Sequence, residues 1–411
     1  MRNPRSSGVT LIELLVAVAI SAVVLVGVLG VAIAQQRAAY EGHRQRAAQN
    51  SARSALLTVE QALQVAGYGL DAPLTFDMGR YQGPCPTELN PCPRDSTEND
   101  DEIVFYSRNP RYWTPSVYTS DPAGNAWRLK AVSNTSVTLY GRTGDGLRRG
   151  QVLQAVCKGG AKYAYFTVHE TKPALGAAGD LTYALDAVVA SDPMKRQDLA
   201  VDPCFTAAAG PARVFLVDRY RFHVRPVVSG GAKIPFLMLD TGTDTDGDGN
   251  VDEADEVFVA EGVELLQFAY VLTNSNLQPR GLASAMPLTA AEPAAASTTG
   301  DGMTTLVFPS AAAPSGTQTI YDVVSWYPYS VGPPAAPPRL TDHQANIRAI
   351  RMGMVVRSPT AGPDRADISP LAPLYNMTKL PSWLDASPFN RFHIEATVPL
   401  RNMAVRGMSD S

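Results

Sequence analysis

From Val9 to Ala34 the chain reads VTLIELLVAVAISAVVLVGVLGVAIA, an apolar run interrupted by a single charge, Glu13. At a helical rise of about 1.5 Å per residue, such a run is long enough to cross a hydrocarbon core of about 30 Å. Arg2 and Arg5 precede it without an acid, so residues 1–8 are expected to stay cytoplasmic and the chain beyond Ala34 to lie outside, after one crossing. Past Ala34 the pattern turns polar without a helix breaker. QQRAAYEGHRQRAAQNSARSALLTVEQALQVAGYG has no proline and many strong helix formers. Leu56, Val59, Leu63 and Val65, widened by Leu57 and Ala66, recur at helical spacing. One spine of roughly 85 Å is therefore expected from Val9 to about Ala66. Residues 9–34 form its membrane half and 35–67 an amphipathic half facing a globular head, with Gly67 and Gly69 as the stop.

From Glu102 onward the apolar runs are short and bounded by turn residues, which predicts strands. EIVFYSR (102–108), SVTLYGR (136–142), QVLQAVC (151–157), YAYFTVH (163–169) and RVFLVDRYRFHVRPV (213–227) fit this description. So do PFLMLD (235–240), VFVAEGVELLQFAYVL (257–272), IRAIRMGMVVRS (347–358) and RFHIEATVPLRN (391–402). Residues 68–411 are expected to form a mainly antiparallel β head, giving an α+β chain. Between Thr273 and Gln344 the bias toward Ala, Pro, Thr and Ser predicts an excursion, low in complexity over 273–318, around one strand at TIYDVVSWY (319–327).

Composition narrows the function. The 411 residues are 45% hydrophobic and 18% charged, enough for one large or two ordinary cores. The net charge of -4 and the isolated basic pairs Arg148/Arg149 and Lys195/Arg196 give no expectation of nucleic-acid binding. There is no nucleophile elbow, no H-E-x-x-H and no phosphate-binding glycine loop. His43, His169, His223, His343 and His393 are scattered and read as packing or surface residues, so no enzyme is expected. The four cysteines form no C-x-x-C pair and point to disulfides rather than to a metal. Three connectivities are open. In an exported chain the expected one joins Cys85 to Cys92 across a small Pro-rich loop and Cys157 to Cys204.

Glu13 admits three accounts. A secretory signal would be cut after the A-x-A-like Ala32-Ile33-Ala34, but the apolar run is about twice the usual length of such a segment and continues as helix. A plain signal anchor would let Glu13 snorkel to the nearby interface. Cleavage after Gly8 would instead create an ammonium at Val9, and the same group on a neighbouring helix would pair with Glu13. An unpaired carboxylate at the bilayer centre costs about 2.5 to 3.5 kcal/mol on insertion scales, which such a pair offsets while fixing axial register.

On this third account Gly8, Val9, Thr10, Leu11, Ile12, Glu13 and Leu14 resemble the precursor motif of the type IV pilin family; Val9 stands where phenylalanine or methionine is more usual. The resemblance implies a pilin-like fold, cleavage after Gly8 by a prepilin peptidase, methylation of the Val9 amine, and filament assembly involving Thr10 and Glu13. Further along, QALQVAGYG, DEIVFYSR, AEGVELLQFAYVL, IRAIRMGMVVRS and EATVPLRN resemble, in order, the PilW-type minor pilins. This implies an inner-membrane subunit that primes assembly with other minor pilins and the major pilin, then sits at the extracellular filament tip, often beneath an adhesin. A minor pseudopilin of a type II secretion system and a calcium-dependent binding module on a permanent anchor are the alternatives.

DTDGDGNVDEAD (244–255) places Asp244, Asp246 and Asp248 at alternate positions, Gly249 at a sharp turn, the Asn250 carbonyl, Asp252, and Asp255 at the twelfth place. Calcium takes about six to eight hard oxygens in flexible geometry, and this spacing predicts a structural calcium loop. Its strand-like flanks set it apart from an EF-hand. The twelfth residue is Asp rather than Glu, with Glu256 available in its stead. A solvated acidic turn is the other account.

Overall fold

The computed structural model describes residues 10–70, 72–77, 100–109, 128–140, 147–157, 163–170, 174–175, 180–189, 192–201, 203–205, 212–229, 231–272, 296–298, 304–306, 347–360 and 389–404. The expected strand at 319–327 and most of 273–318 lie outside these residues, as do Gly8, Val9, Cys85 and Cys92.

Helix α1 runs unbroken over Leu11–Gln64, 54 residues. It stops where Gly67 and Gly69 adopt φ of +74° and +69°, a region that only glycine enters freely. The buried face of its second half differs from the expected stripe. Val59, Leu63 and Ala66 are buried as expected, but Leu57 is 54% exposed, and the contact continues through Ala55, Ala52 and Ala48 to a buried Arg44. Small side chains let the helix backbone lie close to the sheet, where it meets β10 (Val257–Glu261), β14 (Ile347–Arg357) and β15 (Arg391–Pro399). Arg44 fastens the lower end: its Nε and Nη2 donate to Thr360 O at 3.0 and 2.6 Å. Ala52→Leu would push extra methylenes into this contact and is expected to cost about 1 to 3 kcal/mol, read as a lower midpoint in urea unfolding.

The head is antiparallel throughout. Its frame is the long strand β8 (Arg213–Ser229), which pairs with β4 (Val152–Val156) through 213–217, with β1 (Ile103–Arg108) through 217–222, and with β9 (Ala232–Asp240) through 221–229. Val217 partners both β1 and β4, and Arg221 both β1 and β9, so β1 holds one edge and β4 and β9 share the other. β5 (Tyr163–Thr167) flanks β4, and β10 flanks β9. A second sheet orders β12 (Ala296–Thr298), β13 (Thr304–Leu306), β11 (Val263–Leu272), β14 and β15. A small third sheet holds β2 (Leu129–Val132), β3 (Ser136–Leu139), β7 (Leu181–Ala184) and β6 (Ala174–Leu175). The chain ends its described course in a short helix, Arg401–Ala404.

β1, β4 and β5 are buried at every position, which explains their near-continuous apolar sequences. One core joins α1 to Phe105, Phe222, Leu266, Phe268 and Met352, and another joins the small third sheet to Leu153, Phe166 and Leu216. The expected strand 257–272 is two strands, because Gly262 turns at φ +85°, where an added Cβ would lie 2.7 Å from Arg357 O.

The upstream edge of β11 is closed by a pair of acids. Asp101 N donates to Leu266 O at 2.8 Å, Leu266 N to Asp100 Oδ1 at 3.1 Å, and Phe268 N to Asp101 Oδ2 at 2.7 Å. Desolvation pushes the Asp100 carboxyl up to about 7, against the bond from Leu266 and with added repulsion from Glu264. A carboxyl raised in the folded state contributes full stability at low pH and loses it as the unfolded chain ionises first, between about pH 4 and 7. Asp100→Asn is therefore expected to remove a share, on the order of 1 kcal/mol, of any fall in stability between pH 4.5 and 7.5, measured by paired thermal melts.

Candidate functional site

Between β9 and β10 the acidic loop is seated on the turn before β4. Gly150 and Gly242, at φ +81° and +66°, let the two backbones meet: a Cβ on Gly150 would lie 1.9 Å from Gly242 O. Asp244 N donates to Arg149 O at 3.0 Å, the Arg149 guanidinium donates to Gly249 O, and Arg148 Nη1 donates to Thr245 O at 3.3 Å.

Asp244 is 1% exposed, and its two carboxylate oxygens accept from Gly247 N at 2.6 Å and Gly249 N at 3.0 Å. Asp255 is also buried. Desolvation raises its carboxyl, but the N–H groups of Thr245, Asp252 and Asp246 and the Thr245 hydroxyl outweigh that and hold it below the usual carboxylate range. With Asp246 they form a trio whose ligand oxygens lie within 4.8 Å of one another. Asp248 and Asp252 lie outside this trio. Asp248 Oδ1 accepts from Asn250 N at 2.7 Å, and Asp252 Oδ1 accepts from Ala254 N at 2.8 Å, capping a short 3-10 turn. Of the six expected ligands, the fold thus brings three acids together; Asp248 and Asp252 stand outside that trio, and Asn250 bonds to Asp248. The three converging acids could hold a metal ion.

At the other end of the molecule Thr10 caps α1. Its N–H and hydroxyl donate to Glu13 Oε2 at 2.9 and 3.0 Å, and its hydroxyl oxygen accepts from Glu13 N at 3.4 Å. This is a capping box, legible as Thr-x-x-Glu yet missed when Glu13 is considered only as a membrane charge. Both accepted bonds fall on Oε2, so among the described residues Oε1 has no partner. From Leu11 to Ile33 the large apolar side chains are 49–79% exposed. None of the most apolar stretch of α1 is buried, and the helix is long and apolar enough to cross a membrane. Such a surface is at home in lipid or against other helices.

The family described as Prokaryotic N-terminal methylation motif matches residues 3–29. The N-terminus is of the prepilin type. The prepilin-type motif supports a type IV pilin- or pseudopilin-type subunit, anchored in a membrane by α1, and implies processing by a prepilin peptidase and assembly with other pilins. No curated protein and no solved structure matches the chain.

Two further features of the chain bear on its chemistry. Cys157 and Cys204 are joined with a Cα–Cα distance of 5.7 Å, the pairing expected for them, in keeping with an oxidising compartment. His169, His223 and His393 each sit beside a different carboxylate, those of Asp186, Glu256 and Glu395. The prepilin-type motif points to a structural subunit rather than a catalyst.

Proposed function

We propose that the protein is a PilW-like minor pilin of a type IV pilus, a structural subunit that primes assembly and sits at the filament tip beneath an adhesin. The observation that carries this is the combination of a prepilin-type motif with a 54-residue helix whose first half is bare and apolar and whose second half is docked on a large β head. On this proposal Gly8 is the cleavage site, Val9 carries the methylated amine, and Glu13 Oε1 is offered to the Val9 ammonium of a neighbouring subunit. The head lies outside the cytoplasm while the chain waits in the inner membrane.

The test is the N-terminal mass of the protein recovered from membranes, with and without the host's prepilin peptidase. A chain starting at Val9 with one added methyl, lost without the peptidase, supports the proposal; an intact Met1 or a start at Gln35 refutes it. Deleting the gene and scoring piliation against protein secretion separates a pilus subunit from a type II pseudopilin.

We propose further that the Asp244, Asp246 and Asp255 trio holds a structural calcium ion, whose charge would offset the repulsion among three converging carboxylates. Binding only to the folded head would stabilise it by about 2.7 kcal/mol at a hundredfold excess over Kd. Calcium is expected to raise the melting temperature of the wild type, and Asp246→Asn to abolish that rise. Asp248→Ala, outside the trio, is expected to retain most of it; an equal loss in both variants would remove the assignment.

A further inference from the structure

The sheet built on β8 ends at β10, which pairs with β9 on one side; among the described residues its other edge carries no strand. An unpaired edge is a template for another chain, and proteins usually blunt it with charge, proline or a twist. β15 follows that rule, with exposed Glu395 and Thr397. β10 departs from it. Val257 and Phe258 stand in succession, 50% and 56% exposed, and VFVAE contains no proline and no charge before its last residue. Successive side chains point to opposite faces, so both faces of this edge begin apolar. On the Phe258 side the patch extends into the sheet, where the Phe236 ring packs edge-on at 5.1 Å. A bulge between Phe258 and Ala260 bends the strand, and Ser51 Oγ takes only the terminal Glu261 carbonyl.

The flanks of this edge carry one sign. Seven acids lie from Asp244 to Glu256, and among the described residues Arg148, Arg149 and Arg225 are the arginines bonded to that stretch. Glu253, four residues upstream of Val257, keeps its side chain 84% exposed even while paired with Arg225. Glu261 is exposed at the downstream end.

We infer that the β10 edge is a docking site for an extended segment of another polypeptide, apolar at alternate residues and carrying Lys or Arg at its ends. The segment adds as a strand along 257–260. Main-chain hydrogen bonds supply affinity; Val257 on one face and Phe258 with Phe236 on the other select apolar side chains. The acidic flanks select basic ends and speed encounter at low salt. The inference rests on the geometry of β10 and stands whether or not the subunit enters a pilus.

The experiment uses the full chain in detergent and two fluorescent peptides of alternating valine and threonine, one with two lysines at each end and one with two glutamates. Anisotropy titrations at low salt are expected to show the lysine-ended peptide binding at least tenfold more tightly. Phe258→Asp, at an exposed position, is expected to weaken that binding at least tenfold with an unchanged melting temperature. In the wild type, amide exchange at 257–260 should slow on binding, a readout that needs no variant. Equal affinity for the two peptides, no binding of either, or binding without protection at 257–260 would overturn the inference. So would concentration-dependent self-association abolished by Phe258→Asp, since the occupant would then be a second copy of this chain.

Discussion

Glu13→Ala is expected to leave membrane insertion of the chain intact and to lower its recovery in sheared filaments at least tenfold. Insertion itself gains from the change, because a carboxylate in the apolar run costs about 2.5 to 3.5 kcal/mol at the bilayer centre and less near its edge. Loss of the capping box costs on the order of 1 kcal/mol at the first turn, too little to unravel a helix of 54 residues. Two further variants separate the roles of the side chain. Thr10→Ala removes the reciprocal cap and leaves the carboxylate, so incorporation should fall only slightly. Glu13→Gln keeps an acceptor for Thr10 N–H but has no charge for a neighbouring ammonium, and it should fail as Glu13→Ala does. Immunoblots of sheared and membrane fractions give both numbers. Wild-type incorporation of Glu13→Gln would reduce the residue to a helix cap.

The second large effect is expected at the Cys157–Cys204 bridge. It closes a loop with a sequence separation of 47, and in the chain-entropy picture that is worth about 4 kcal/mol at 25 °C. The bridge ties the end of β4 to the turn before β8 within the core that also holds Leu153, Phe166 and Phe205. Its removal should therefore loosen the small third sheet together with the frame strands. The double variant Cys157→Ala/Cys204→Ala should unfold at a much lower denaturant midpoint. Reduction should lower the wild-type midpoint much more than that of this variant, which keeps only Cys85 and Cys92. Equal midpoints for oxidised wild type and the variant would show that the loop is already restrained in the unfolded chain.

Much of this architecture is legible in the residues because the strongest signals are also the least ambiguous. The unbroken run from Val9, the absence of proline to Gly69 and the paired glycines define α1, and strands buried on both faces announce themselves as EIVFYSR and YAYFT. Weaker signals are lost where burial is done by residues that do not look like a core. Ala48, Ala52 and Ala55 carry the helix contact in place of Leu57, since closeness of approach matters there more than side-chain volume. β2 and β7 escape notice because each is four residues long and only half-buried on alternate positions. In the acidic loop, spacing alone cannot say which carboxylates converge; Asp246 and Asp248 each accept from the backbone N–H two residues on and differ in what the fold brings near them. The acids at 100 and 101 look like loop residues, yet they close a strand edge.

Among the described residues, the buried guanidinium of Arg44 is the lowest point at which the head grips the spine. Between Ala34, where the apolar run ends, and Arg44 lie nine helical residues, about 14 Å of rise. The headgroup layer on one side of a bilayer is thinner than that, about 5 to 8 Å. With the apolar run in a bilayer, the described head contacts therefore begin above the headgroup layer, on a polar stretch of the helix. The joint between anchor and head is thus a stretch of solvated helix, Gln35 to His43, set by its own hydrogen bonds rather than by lipid or by the described part of the head.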